Sequence, residues 1–220
     1  DDDTSTVGTD EVQETELKAI TRQYIDATLH PTYAQLADST AQLFDALHAI
    51  KLKLQNAPQT LTDADVAEAC DIFIQARANY ETSEAFLFGA ADKYSIDPHT
   101  DTWPVDQAAL ANILRDPEIM ADIDNKVKLL NSGVLGYHGI EYVLFRQGNP
   151  RDISQLTDLE YRYVCAVAKD LYQATCVLQT TWSGATSGTR YEEAIRYLAS
   201  HNSLDDDGNV TGEGLNYTNF

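Results

Sequence analysis

The stretch PTYAQLADSTAQLFDALHAIKLKLQNAP, residues 31–58, decides the fold class. Its apolar positions Leu36, Leu43, Leu47, Ile50 and Leu54 recur at intervals of three, four and one seven, the period that lines one face of an α-helix. Pro31 suits a first helical position, where its missing amide hydrogen is not needed, and Asn56-Ala57-Pro58 stops the run. A stripe of about five turns has to be covered by other helices.

The flanking sequence supplies them. Upstream, Asp10 is placed to cap a helix carrying Leu17, Ile20, Tyr24 and Ile25, which should end at His30 because the residue before a proline avoids the α region. Downstream, Thr62 opens a third helix whose Val66, Cys70, Phe73, Ile74, Arg77, Tyr80, Glu84 and Leu87 share one broad face, with an end near Gly89. Residues 92–104 lose the period and read as an ordered loop around Trp103. Asp106 caps a short helix over 108–114, and Asp116-Pro117 starts another carrying Ile119, Ile123, Val127 and Leu130. An apolar helix over 135–145 closes at Gly148-Asn149-Pro150. Thr157 and Glu160 form a capping box at the head of a long helix that reaches Trp182, with Val164, Val167, Leu171 and Leu178 inward. Residues 183–188 form a flexible turn, and an amphipathic piece over 191–198 precedes a tail rich in Gly and Asp. No strand alternation and no repeat interrupts this pattern. The expectation is an all-α protein of antiparallel helical bundles. Residues 1–9 read as a flexible acidic leader, 10–185 as the bundle, and 186–220 as the start of a second helical part or a tail.

Composition narrows the function. Thirty-five acidic against 15 basic residues give a formal charge of −20 over 220 residues, a field that repels phosphate backbones and argues against nucleic acid as a partner. No apolar run is long enough to span a bilayer, and the Asp1-Asp2-Asp3 start without Met suits a form from which an export signal has been removed. Cys70, Cys165 and Cys176 read as buried small hydrophobes, not as a disulfide framework or a thiolate metal site.

The chemistry concentrates in Gly136-Tyr137-His138-Gly139-Ile140-Glu141-Tyr142-Val143-Leu144-Phe145. His138 and Glu141, three apart, stand on the same face of a helix, where both reach one ion or proton. Among apolar neighbours they need each other, a third partner or a metal. Gly136 and Gly139 leave room for a second backbone or a ligand. Unlike His-Glu-x-x-His, the segment supplies a single imidazole, so further metal ligands must come from elsewhere. Glu84 on the third helix is a candidate, with Glu81 one turn before it; a solvated face is the plainer reading of Glu81. Trp103-Pro104-x-Asp106 reads as a loop anchor followed by a helix cap. His30 reads as a helix-end residue before proline, and His48, His99 and His201, with no partner at metal spacing, read as surface or core-edge histidines. Asp205-Asp206-Asp207-Gly208-Asn209 lacks the offsets of a calcium loop and reads as a turn.

Four ordered segments carry a resemblance: YIDATLHPTY at 24–33, SEAFLFG at 83–89, Trp103-Pro104, and Gly136-x-His138-x-x-Glu141. Over about residues 10–185 the chain resembles the imelysin-like family. The resemblance implies an exported bacterial protein, periplasmic or a lipoprotein at the outer membrane or cell surface, sometimes iron-regulated. It also implies two helical-bundle domains, with the Gly-x-His-x-x-Glu residues in the cleft where they meet. The family is labelled a metallopeptidase family after an insulin-cleaving membrane protease. On that basis His138, Glu141 and Glu84 are expected to face a metal, iron before zinc, with Gly136, Trp103, Glu81 and Asp106 as lesser members of the site. The expected role is binding of a metal or iron-linked ligand, with a membrane-associated uptake partner. A metal-dependent endopeptidase and a helical interaction scaffold with a structural His–Glu pair are the alternatives.

Overall fold

The chain passes through Pro31 without leaving the helix. In the computed structural model, which describes residues 5–201, α1 (Ser5–Tyr24) runs through one π turn (Ile25–Leu29) into α2 (His30–Asn56). The His30 amide reaches back to the Ile25 carbonyl, a five-residue step, and this wider turn makes room for a proline that donates no hydrogen bond. The break expected at His30 is therefore absent, and the helix expected to start at Asp10 already includes Ser5. Leu17, Ile20 and Tyr24 remain exposed; the contact at this end is the Tyr24 ring edge against Phe86, 5.9 Å between centroids. The readings of Asp1–Asp3 and of Asp205–Asp207 lie outside the described residues.

The stripe of α2 behaves as its period requires. Leu36, Leu43, Leu47 and Ile50 are buried, and Leu54 is half-buried. Residues 57–62 turn the chain into α3 (Asp63–Ser83), which packs back along α2. The Thr62 hydroxyl accepts from the Asp65 amide and the Asp65 carboxylate accepts from the Thr62 amide at 2.8 Å, a reciprocal cap. Lys53 adds a hydrogen bond to the same carboxylate at 2.7 Å, and together these hold the Asp65 carboxyl below the usual range, Lys53 being the larger cause. Asp65→Asn is therefore expected to cost about 1 kcal/mol in urea melts at neutral pH. The folded carboxyl binds its proton less readily than the unfolded one. Its contribution is thus full above about pH 4 and fades as pH falls through the lowered folded value, so parent and variant should converge in acid.

Past Ser83 the α3 stripe ends. A 3-10 turn (Glu84–Phe86) advances about 120° per residue instead of 100°, so Glu84 and Leu87 do not continue the inward face, and Ile74 lies exposed beside buried Phe73. The segment read as a loop holds two short helices, α4 (Ala90–Lys93) and α5 (Ile96–Thr100). Helices this short are marginal alone and leave no periodic signal; burial of Ala90, Ala91, Ile96 and Thr100 against the bundle supports them. Asp106 and Asp116 cap α6 (Gln107–Arg115) and α7 (Pro117–Ala121), but the helix expected to continue to Leu130 breaks at Asp122, giving α8 (Ile123–Lys126) and a 3-10 turn.

The motif helix is α9 (Gly136–Leu144). It ends in a tight antiparallel pair, β1 (Phe145–Arg146) with β2 (Asn149–Pro150), turned by Gln147 and Gly148, both at positive φ as a type I′ turn demands. At the centre is α10 (Asp158–Ser183). Its own side chains are buried on most sides, among them Tyr163, Val164, Ala168, Leu171, Ala174 and Leu178, and it is covered by α2, α9 and α11 (Thr189–Ser200). Thr40 and Thr175 join α2 to α10 through buried hydroxyls 2.8 Å apart. All three cysteines are free and buried, and burial pushes their thiols up to about 11 for Cys70 and Cys176 and about 12 for Cys165, so they behave as inert hydrophobes. Among the described residues no helix is long and apolar enough to cross a membrane. The class is all-α, as the periodicity requires.

Candidate functional site

Two glycines let α9 sit where it does. Gly136 has φ +69, and a Cβ there would lie 2.0 Å from the Thr100 carbonyl oxygen; a Cβ on Gly139 would lie 2.7 Å from the Tyr163 hydroxyl and 2.8 Å from the Val134 oxygen. The head of α9 is thus pressed directly onto the end of α5 and the side of α10. This close approach brings His138 to Asp101, the residue that follows α5.

His138 stands between two carboxylates. Its Nδ1 lies 3.1 Å from Glu141 Oε2 on the same helix, as the three-residue spacing requires, and its Nε2 lies 3.0 Å from Asp101 Oδ1. Asp101 is in turn gripped by Arg77 of α3 through both carboxylate oxygens, with Nη2 at 3.3 Å from Oδ2, and Arg77 Nε donates to Glu81 at 3.0 Å. Burial alone would pull the Arg77 guanidinium down, but the hydrogen bonds and charges of Asp101 and Glu81 outweigh it and raise it further. Its guanidinium carbon lies 5.6 and 5.3 Å from the ring centroids of Tyr80 and Tyr137. Tyr80 donates to Asp97 at 2.6 Å and accepts from Thr100 at 3.0 Å, which fixes α5 from behind. Burial raises the Tyr80 hydroxyl far above its ordinary range, so it serves as a neutral donor.

The result is a line of polar partners, Glu81–Arg77–Asp101–His138–Glu141, in which basic side chains alternate with carboxylates and which ends at an opening. The inner part is sheltered, with 15% of the Asp101 side chain and 16% of the His138 side chain accessible, whereas Glu141 is 49% accessible. The opening is a cavity of about 320 Å³ lined by Trp103, Tyr142, Phe145, Gln147, His138 and Glu141, among others. Trp103 is 70% exposed and sets its ring edge-on to His138 at 4.7 Å. A larger hollow of about 380 Å³ lies between α2 and α3 and is lined without any imidazole.

An imidazolium donates to both carboxylates. A neutral ring donates to one only, and Arg77-bound Asp101 is the better-held acceptor, an assignment of the proton made from its partners. In the neutral ring with Nε2–H on Asp101, the Nδ1 lone pair stands 3.1 Å from Glu141 Oε2, an arrangement that a cation between the two would complete. This is the carboxylate–histidine arrangement that orients imidazole ligands in metal sites. An ion there would find one nitrogen and one carboxylate from this chain, a mixed donor set suited to iron or zinc, with its other positions open.

The residues expected at the site do not all meet there. Glu81 joins through Arg77, and Trp103 forms a wall. Gly136 acts through packing. Glu84 is exposed on the turn after α3, and no hydrogen bond or ion pair links it to His138 among the described residues. Asp106 accepts from the Ala109 amide at 2.9 Å as the cap of α6 and is not among the residues that pair with His138 or line the cavity. Asp101 was missing from the expected set; the signal that pointed to it was Arg77, a charged residue on an otherwise apolar face that requires a carboxylate.

The remaining histidines divide. His30 donates from Nε2 to the Trp182 carbonyl at 3.0 Å, and His48 stacks on Phe44 at 5.7 Å. His99 and His201, read as isolated, meet over Asp170 of α10, with His99 Nε2 2.6 Å from Asp170 Oδ2. Burial pulls the His201 imidazole below its ordinary value.

The Imelysin family model, a peptidase M75 family, matches residues 29–217. Iron-regulated protein A of Synechococcus elongatus is 28% identical over 180 residues, which make up 82% of this chain and 44% of that protein. A crystal structure from Parabacteroides distasonis, of a candidate iron-regulated protein A precursor, shares the fold with a TM-score of 0.66 at 24% identity, over 92% of this chain and 53% of that one. The chain spans about half the length of these relatives. The family match runs through α2, the motif helix and α10 and covers most of the sequence, so this chain belongs to the imelysin family.

Proposed function

We propose that the chain is a binding module of an exported iron-uptake system, holding a metal ion, iron before zinc, or an iron-linked ligand, at His138 and Glu141. One observation carries this reading: Asp101, anchored by Arg77, stands at His138 Nε2, which leaves Nδ1 beside the Glu141 carboxylate at an aromatic-walled cleft. The names of the two relatives, both iron-regulated proteins, and the precursor status of one support the iron link and the export. The metal is cargo in this reading. Its remaining positions are taken by solvent, by the ligand it travels with, or by a membrane-associated partner that receives it, and the protein resides in the periplasm or on the outer membrane as a lipoprotein.

The family's peptidase label supports a second reading, a metal-dependent endopeptidase. The cleft supplies two ligands, one imidazole and one carboxylate, where catalytic zinc sites take three protein ligands, which favours binding over hydrolysis. Chelator-sensitive cleavage of denatured protein, lost in His138→Ala, would reverse that preference.

Calorimetry with Fe²⁺ and Zn²⁺ tests the proposal on the parent, His138→Ala and Glu141→Gln. Removing either ligand is expected to weaken binding at this site at least about tenfold, and metal should cease to raise the melting temperature through it. Equal affinity in parent and variants would refute the assignment.

A further inference from the structure

A second group of ligand atoms lies on another side of α5. His99 Nε2, His201 Nε2 and an Asp170 carboxylate oxygen all fall within 4.8 Å of one another, from three elements: α5, the residue that ends α11, and the middle of α10. The separations are 2.6 Å from His99 Nε2 to Asp170 Oδ2, 3.3 Å between the two Nε2 atoms, and 3.8 Å from His201 Nε2 to Asp170 Oδ1. Ligands about 2.0–2.1 Å from a tetrahedral ion stand roughly 3.3–3.4 Å apart, which the 3.3 Å between the two imidazole nitrogens matches. The two carboxylate spacings are to different oxygens and fall on either side of that value, so a small rotation of the Asp170 carboxylate is what a bound ion requires.

The proton arrangement also favours a cation. His201 Nδ1 is 2.8 Å from the Tyr197 carbonyl oxygen, an acceptor only, and 2.9 Å from Ser200 Oγ, whose own hydrogen goes to that carbonyl; with these partners Nδ1 carries the hydrogen and the Nε2 lone pair is left for the group. A backbone carbonyl holding the far nitrogen is the usual support of a ligating histidine. The Tyr197 ring stacks on His201 at 3.9 Å and meets His99 edge-on at 5.6 Å, which fixes both imidazole planes. Asp170 is 5% accessible, and among the described residues its ion-pair partners are these two histidines, with no Lys or Arg. A carboxylate this buried needs hydrogen-bond donors or a positive partner to hold its charge. In the absence of an ion, a single hydrogen on His99 Nε2 faces both Asp170 and the His201 lone pair.

We infer that His99, Asp170 and His201 form a second metal site, a two-histidine, one-carboxylate set for a divalent first-row transition ion, with at least one coordination position open. The ion replaces the His99 Nε2 hydrogen, which leaves as a proton, and satisfies all three groups at once. This site is independent of His138 and Glu141; His99 and Asp101 leave the same short segment toward different neighbours, α10 and α11 in one case, α3 and α9 in the other.

The test is titration of the full 220-residue chain, stripped with chelator, with Co²⁺ followed by visible absorption and Zn²⁺ followed by calorimetry. The parent, His99→Gln, His201→Gln, Asp170→Asn and the His138→Ala/Glu141→Gln pair are compared, with circular dichroism melts as the folding control. Expected is a Co²⁺ spectrum and a Zn²⁺ affinity that fall at least about 100-fold in His99→Gln and His201→Gln and persist in the His138→Ala/Glu141→Gln pair. Asp170→Asn sits in the core; if it does not fold, the two histidine variants decide. Signals that survive in both histidine variants, signals lost only in the His138→Ala/Glu141→Gln pair, or no Co²⁺ or Zn²⁺ binding by the parent would each overturn the site. Loss of binding at His138 alone would leave it standing.

Discussion

Gly136→Ala is expected to destabilise the protein by more than about 3 kcal/mol, the largest effect of any single methyl group added to the motif. The added carbon would lie 2.0 Å from the Thr100 carbonyl oxygen, 2.5 Å from its carbonyl carbon and 2.8 Å from its Cα, so backbone and not a flexible side chain has to move. The residue also has φ +69, a left-handed conformation that costs a side-chain-bearing residue roughly 1–2 kcal/mol on its own. Gly148 separates the two contributions. It has φ +76 but open space around its would-be Cβ, so Gly148→Ala should show the conformational cost alone. Urea melts of both variants decide the matter. If Gly136→Ala loses no more stability than Gly148→Ala, the α9–α5 contact is not what places His138. If it loses more and still folds, metal binding at His138 should weaken as well, because the contact that brings Asp101 to the imidazole has been pushed apart.

The second large effect falls on Asp101. Asp101→Asn keeps the shape of the side chain but removes the charge that orients His138 and pairs with Arg77, and metal affinity at the His138 site should fall about 10–100-fold while Glu141 and the cleft stay in place. Stability should fall by about 1–3 kcal/mol, because the sheltered Arg77 keeps hydrogen-bond acceptors but loses its closest counter-charge. Glu81→Gln is the contrasting variant. Glu81 lies at the solvent end of the line, and its exposed pair with Arg77 is worth less than about 1 kcal/mol, so neither affinity nor stability should change much. Calorimetry and thermal melts on the two variants give the comparison. Equal effects would mean that the line from Glu81 to Glu141 acts as a general negative field and not as an oriented chain of partners.

The features legible in the sequence share one property: each depends on residues a few positions apart. The stripe of α2, the cap at Thr62 and Asp65, the caps at Asp106 and Asp116, and the head of α10 at Thr157 follow from the 3.6-residue period and from unpaired amides at helix starts. Readings failed where a local rule was overridden at a distance. Pro31 should have broken the helix, but a π turn absorbed it; α4 and α5 leave no period because packing, not propensity, holds them; and Glu84 follows the helical stripe only as long as the helix lasts.

The candidate sites divide the same way. That His138 and Glu141 share a face was determined by the sequence, since a three-residue spacing on a helix guarantees it, and so was the need for some partner among apolar neighbours. Which partner was decided by the tertiary structure. Asp101 reaches His138 only because two glycines let α9 press onto α5. His99, Asp170 and His201, which lie 71 and then 31 residues apart along the chain, meet only because α10 runs through the centre with α5 and α11 against it. Local spacing fixes angles around one helix axis, whereas the approach of two helices depends on every side chain between them, and that information is spread over the whole core.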